Sequence, residues 1–288
     1  MSGGARQNGG GVGALLGELH PRRFFVETWQ RMDAEAAELR AARERDGLGY
    51  DVWPLVALVT GAVCLTAMEY LGNSDAYFVL LDWLREHGRD EWVTALRDSE
   101  YATLLEFVWW SGWRVLGYFV IPAATLKLGR QKIREHGLET RGFLEHAWMY
   151  ALAYLVVLVC VIAVSFTEEF STYYPFYKLA SRSWFDFVAW ELLYAAQFFS
   201  LEFFFRGYWL AACKRAMGSQ AIFAMVVPYC MIHFGKPGVE ALAAIVAGVV
   251  LGTLSMKTRS IWSGFLIHVS VAISMDVAAL LQTSGLPQ

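Results

Sequence analysis

Glu202 and Arg206 are the residues from which chemistry can first be argued. They stand in Ser-Leu-Glu-Phe-Phe-Phe-Arg-Gly-Tyr-Trp, residues 200–209, a run that is otherwise apolar. Four positions apart on a helix, they lie one above the other on one face, with the acid toward the N-terminus. At the centre of a bilayer a charge costs roughly 2.5–3.5 kcal/mol even on lenient scales, so such a pair must be shielded inside a bundle. The alternative to a functional site is a structural ion pair joining helices.

Two histidines in apolar runs downstream extend the constellation: His233 in Pro-Tyr-Cys-Met-Ile-His-Phe-Gly and His268 in Ser-Gly-Phe-Leu-Ile-His-Val-Ser. With Gly218 as the turn of a helical hairpin, Glu202 lies 16 residues before it and His233 lies 15 after it. At ~1.5 Å per residue both stand about 22–24 Å from that turn. His268 is nine residues past Arg259, or roughly 14 Å from the start of its own span. The four side chains can therefore converge. A carboxylate beside imidazoles in a low-dielectric cleft is material for general-base catalysis on water. Arg206 can hold Glu202 ionised and in place, and a histidine can donate to a developing oxyanion. Glu202, His233 and His268 also make a His₂Glu set of the kind that binds catalytic zinc. They lack the local His-x-x-x-His spacing that fixes such a site, so water activation without a metal is the expectation. As bland readings, His233, beside Gly235 and Pro237, suits a helix cap or an interface, and His268 can serve the same way.

These residues need a membrane bundle to hold them. The chain has 288 residues, 56% hydrophobic and 15% aromatic, with a mean hydropathy of +0.37, too apolar for a soluble domain of this length. The expected fold class is all-α, a polytopic transmembrane bundle. Seven apolar runs, near 52–71, 105–126, 147–166, 187–210, 220–234, 239–256 and 260–281, match the ~20 residues a spanning helix needs, the fifth being short. Placing alternate connections inside gathers sixteen of the 24 basic residues there and six outside, with Arg114 and Arg206 in the apolar runs. That asymmetry predicts a cytoplasmic N-terminus. An eighth, interfacial helix fits around 77–84 in the acidic 72–104 connection. Residues 1–13, with six glycines, cannot bury a core and read as a disordered tail. Residues 14–50 read as a cytoplasmic charged helix, with Phe24, Phe25, Trp29 and Met32 on the membrane surface or the whole serving only as a tether. The bundle itself fills 51–283. The net charge of −3 offers no basic field for nucleic acid. Cys64, Cys160, Cys213 and Cys230 lack C-x-x-C spacing and read as small core residues.

The ordered polar residues resemble the CPBP intramembrane proteases, the CAAX protease or Abi family that includes Rce1-type prenyl endopeptidases. Its Glu-Glu-x-x-x-Arg-Gly motif is matched by Leu201, Glu202, Arg206 and Gly207. Phe-x-x-x-His is matched by Tyr229 and His233, and His-x-x-x-Asn by His268 and Ala272. Glu240, Gly248, Gly252 and the Thr258-Arg259-Ser260-Ile261-Trp262 stretch also look like the family, and the likeness covers about 187–281. The resemblance implies an endopeptidase on a membrane-associated protein or peptide, in a bacterial plasma membrane, with Glu202, Arg206, His233 and His268 as site residues. Leu201 replaces the acid usually assigned to water activation, and Ala272 replaces the asparagine. The base must then be Glu202, His233 or another carboxylate; otherwise the chain is an inactive relative that binds, retains or gives immunity against a peptide. Glu191 shares the face of Glu202 but lies some 16 Å along the axis, and Asp276 lies two turns beyond His268. A transporter would also carry intramembrane charges, but no inverted repeat is visible. Arg114 is expected to pair with an interior acid, Glu69 to snorkel to the interface, and Glu168 and Glu169 to be solvated in a loop.

Overall fold

The computed structural model describes residues 17–140 and 145–287, and among them every regular element is helical. The glycine-rich stretch 1–13 lies outside the described residues. A π turn, Arg22–Val26, leads into α1 (Glu27–Arg45), followed by α2 (Trp53–Leu71), α3 (Ser74–Glu86) and α4 (Asp90–Arg97). Then come α5 (Ala102–Val115), a π segment Leu116–Val120, α6 (Ile121–Leu128), α7 (Ala147–Val164) and α8 (Glu168–Tyr173). α9 (Trp184–Glu202) runs through a second π segment, Phe203–Leu210, into α10 (Ala211–Met217). α11 (Gln220–Met231), α12 (Gly238–Thr258) and α13 (Trp262–Gln282) complete the chain.

All seven apolar runs lie on helices, and the chain is an integral membrane protein. Among the described residues α2, α7, α12 and α13 are long and apolar enough to cross a membrane. The other three differ for physical reasons. The 105–126 run is broken by a π segment and carries Arg114; the 187–210 run carries Glu191, Glu202 and Arg206; α11 has only 12 residues. α3 covers the position expected for an extra helix, and its N-cap Asn73 accepts from the Ala76 amide at 2.8 Å.

α9 is the central element and packs against α5 and α13, while its continuation α10 contacts α1, α2 and α11. Its start is fixed by Ser183, whose hydroxyl accepts from the Asp186 amide at 3.1 Å, an N-cap that satisfies an otherwise orphaned donor. At its other end Phe203, Phe204 and Phe205 are fully buried, the last two in a core with Met68, Tyr118, Leu201, Trp209 and Tyr229.

α1 is more than a tether. Met32 and Ala36 are buried, Trp29 donates to Thr253 Oγ1 at 3.0 Å, and Lys214 meets Glu35 at 2.8 Å. Asp33 accepts from the Ser219 amide at 2.6 Å, closing the turn between α10 and α11. Gly218 lets this happen: its φ is +57°, and a Cβ there would collide with Asp33 Oδ1.

Three local expectations are corrected. Glu168 and Glu169 are exposed, as expected, but begin α8 instead of lying in a loop; Thr167 caps that turn and the acids suit its N-terminal dipole. Arg114 finds an aromatic face in place of an acid, with its guanidinium carbon 4.2 Å from the Trp110 ring. Cys160 is exposed on the apolar α7, whereas Cys64 and Cys213 are buried and Cys230 is partly so; all four are free thiols. Glu69 is exposed at the end of α2.

Candidate active site

The site forms where the α9 helix widens into its π segment. Glu202 is the last residue of α9 and Arg206 lies in the π turn; both are 1% exposed. Short π segments are frequent at functional sites because they re-aim side chains without ending the helix. Arg206 Nη1 stands 3.0 Å from Glu202 Oε1, and His268 Nδ1 of α13 approaches the same oxygen to 2.9 Å. Both approaches are angled, so neither carboxylate oxygen receives an aligned hydrogen bond from the described residues. One carboxylate oxygen thus carries a cation and an imidazole, and the other, Oε2, faces Gly264.

Gly264 decides whether the carboxylate fits. A Cβ at this position would overlap Oε2 and lie 2.6 Å from the Glu202 carboxyl carbon. The start of α13 is itself braced from outside: the Ile261 amide donates to Gly137 O at 2.9 Å, and Trp262 Nε1 donates to Leu138 O at 3.1 Å. The same turn approaches Gly207 so closely that a Cβ there would stand 2.5 Å from His136 O. A cavity of about 330 Å³ between α1, the 135–137 turn, the start of α10 and the end of α12 is lined by Arg31, Lys214, Arg259, Glu35, His136 and Arg206, among others.

Tyr229 of α11 joins the remaining parts. Its hydroxyl stands 2.9 Å from His268 Nε2, its ring lies 4.2 Å beneath the Arg206 guanidinium carbon, and its carbonyl stands 2.8 Å from His233 Nδ1. Phe198 stacks parallel to the His268 ring, with centroids 5.3 Å apart and 2° between planes.

Glu202, Arg206 and His268 are therefore brought together. His233 is not: among the described residues it forms no ion pair with Glu202 and is linked to it only through Tyr229 and His268. Equal depth requires unbroken α-helices, whereas α11 ends at Met231 and His233 occupies the turn beyond it, folded back on its own helix. Glu191 and Asp276 stay apart from the Glu202 pair. Asp276 is fully buried and accepts from Trp190 Nε1 at 2.7 Å. Leu201 is buried in the aromatic core and Ala272 packs with Trp190 and Tyr194. Apolar packing fills both positions where the family motif has a polar group.

The donors do not fit zinc in this arrangement. Glu202 Oε1 is shared with Arg206, both ring nitrogens of His268 face other side chains, and His233 Nδ1 turns to a backbone carbonyl. Among the described residues no group of three or more His, Cys, Asp or Glu side chains is placed to hold a metal ion.

Three residues here were not read from the sequence: the Tyr229 hydroxyl, Gly264 and Phe198. Gly264 had a signal, since it precedes His268 by four and so shares its helix face. The π segment had none. No curated protein and no solved structure matches the chain. Residues 183–274 match the family model described as type II CAAX prenyl endopeptidase Rce1-like, and over that third of its length, which supplies Glu202, Arg206, Tyr229, His233, Gly264 and His268, the chain is similar to that protease family.

Proposed function

We propose that this chain is an intramembrane endopeptidase of the CPBP type, cleaving a membrane-associated protein or peptide with a water activated by Glu202 and without a metal. The observation that carries the reading is the buried Glu202 carboxylate, whose Oε1 is approached by Arg206 and His268 while Oε2 lies against Gly264. Oε2 takes a proton from water as the water oxygen attacks the scissile carbonyl, then returns it to the leaving amine as the C–N bond breaks. Arg206 balances the carboxylate charge, His268 orients it, and His233, one tyrosine away, polarises the substrate carbonyl. We infer a cytoplasmic N-terminus, because the basic residues gather on the side of α1.

A second reading has its own support: the apolar packing of Leu201 and Ala272 favours a relative that binds or retains a peptide without cutting it. Comparison of peptide termini in host membranes between wild type, Glu202→Ala and His233→Ala at equal expression separates the two. Loss of one defined set of termini in both variants is the expected result. Unchanged termini with loss of a bound partner would replace the enzyme reading with the binding one.

A further inference from the structure

Tyr229 touches three of the four polar residues of the site, and its hydroxyl has a specific partner. It is 1% exposed, so a hydroxyl here must be hydrogen-bonded or be costly. The partner is His268 Nε2 at 2.9 Å. On the other edge of the ring, Nδ1 lies 2.9 Å from a carboxylate oxygen that also holds Arg206. A carboxylate only accepts, so this proximity favours a proton on Nδ1, but the approach is off the line of a hydrogen bond and does not fix the tautomer by itself. With the proton on Nδ1 of the neutral ring, Nε2 is the acceptor and the phenol is the donor. Phe198, parallel to the imidazole, opposes a ring flip that would put carbon atoms where the two nitrogens stand.

We propose that Tyr229 is a positioning residue for His268: its hydroxyl donates to Nε2 and, with Glu202 on Nδ1, fixes the Nδ1–H tautomer in a carboxylate–imidazole–phenol chain. The arrangement keeps the N–H of His268 turned to Oε1 of Glu202, which leaves Oε2 as the basic oxygen. The catalytic consequence rests on the peptidase reading; the tautomer does not. Removing the hydroxyl while keeping the ring preserves the contacts with Arg206 and His233 and admits the Nε2–H tautomer, whose bare Nδ1 faces Oε1.

The test is nitrogen NMR on the full chain in lipid bilayers with labelled histidine, His268 being assigned by its loss in His268→Gln. In wild type at neutral pH the expected signal is a single Nδ1–H tautomer. In Tyr229→Phe the expected signal is a mixture or the Nε2–H form. Once a cleaved polypeptide is identified, kcat should fall roughly tenfold with KM within about twofold, as for one hydrogen bond that acts on the chemical step. Any wild-type spectrum other than a single Nδ1–H form would overturn the proposal, whether or not the variant folds. A Tyr229→Phe spectrum identical to wild type would overturn it as well. If the tautomer shifts as expected but no polypeptide is cleaved, the peptidase reading fails and the positioning role stands.

Discussion

Gly264→Ala gives a sharp test of where the carboxylate sits. The added methyl would stand 2.6 Å from the Glu202 carboxyl carbon, whereas carbon atoms pack best at about 3.5–4.0 Å. The carboxyl group must therefore retreat by about 1 Å, or the first turn of α13 must move off α9 by as much. Overpacking of this kind costs about 1–3 kcal/mol of stability. A 1 Å displacement of a reacting group costs about 100-fold in rate, equivalent to about 2.7 kcal/mol. The assay pairs thermal unfolding in detergent with the rate at which Glu202-dependent termini appear in membranes. The control is Gly112→Ala on α5, where an added Cβ has nothing within 4 Å, so its rate should match wild type and its melting temperature should not fall. A Gly264→Ala protein that melts with wild type and keeps its rate within about threefold, or about 0.65 kcal/mol, would refute the placement of Oε2 against α13 and the base role built on it.

Two further outcomes follow from charges at the site and at the basic end of the bundle. Arg206→Met strands the fully buried Glu202 carboxylate and should cost about 3–5 kcal/mol in denaturant unfolding, much of it recovered by adding Glu202→Gln; a cost below about 1 kcal/mol would mean that the pair is not desolvated. Glu35 and Asp51, outside the spanning segments, are held below the ordinary carboxylate range: burial opposes ionisation at both, but Lys214, Arg259 and Arg31 outweigh it at Glu35, and Arg215, the Trp53 amide and Arg43 outweigh it at Asp51. With both folded values lowered, their contribution is complete above about pH 5, past the ordinary carboxylate values, and is lost as pH falls through the folded values. Hydrogen exchange should show α1 held against α10 from pH 7 to 5 and loosening below pH 4; loosening that begins near pH 6 would point to other groups.

The class of molecule and the identity of its costly residues were legible in the chain alone. Long apolar runs read as helices, because in lipid a helix satisfies every backbone polar group within its own segment. Glu202, Arg206, His233 and His268 stood out because charge and imidazole in such runs are expensive without partners. Chain order alone could not decide who meets whom. Equal residue counts from Gly218 suggested that His233 faces Glu202, but the helix rise changes in the π segment Phe203–Leu210 and α11 stops at Met231. That local geometry puts His268 against the carboxylate and hands His233 to the Tyr229 carbonyl. The roles of Gly264 and the Tyr229 hydroxyl were likewise invisible, since both arise from the approach of α9, α11 and α13, elements far apart in the chain. α1 is the clearest case: its charges read as solvated, and only the folded bundle supplied Ser219, Lys214 and Thr253 as partners at its basic end. Periodicity reports what each helix must hide; which helix hides it is set by the packing of the aromatic core between them.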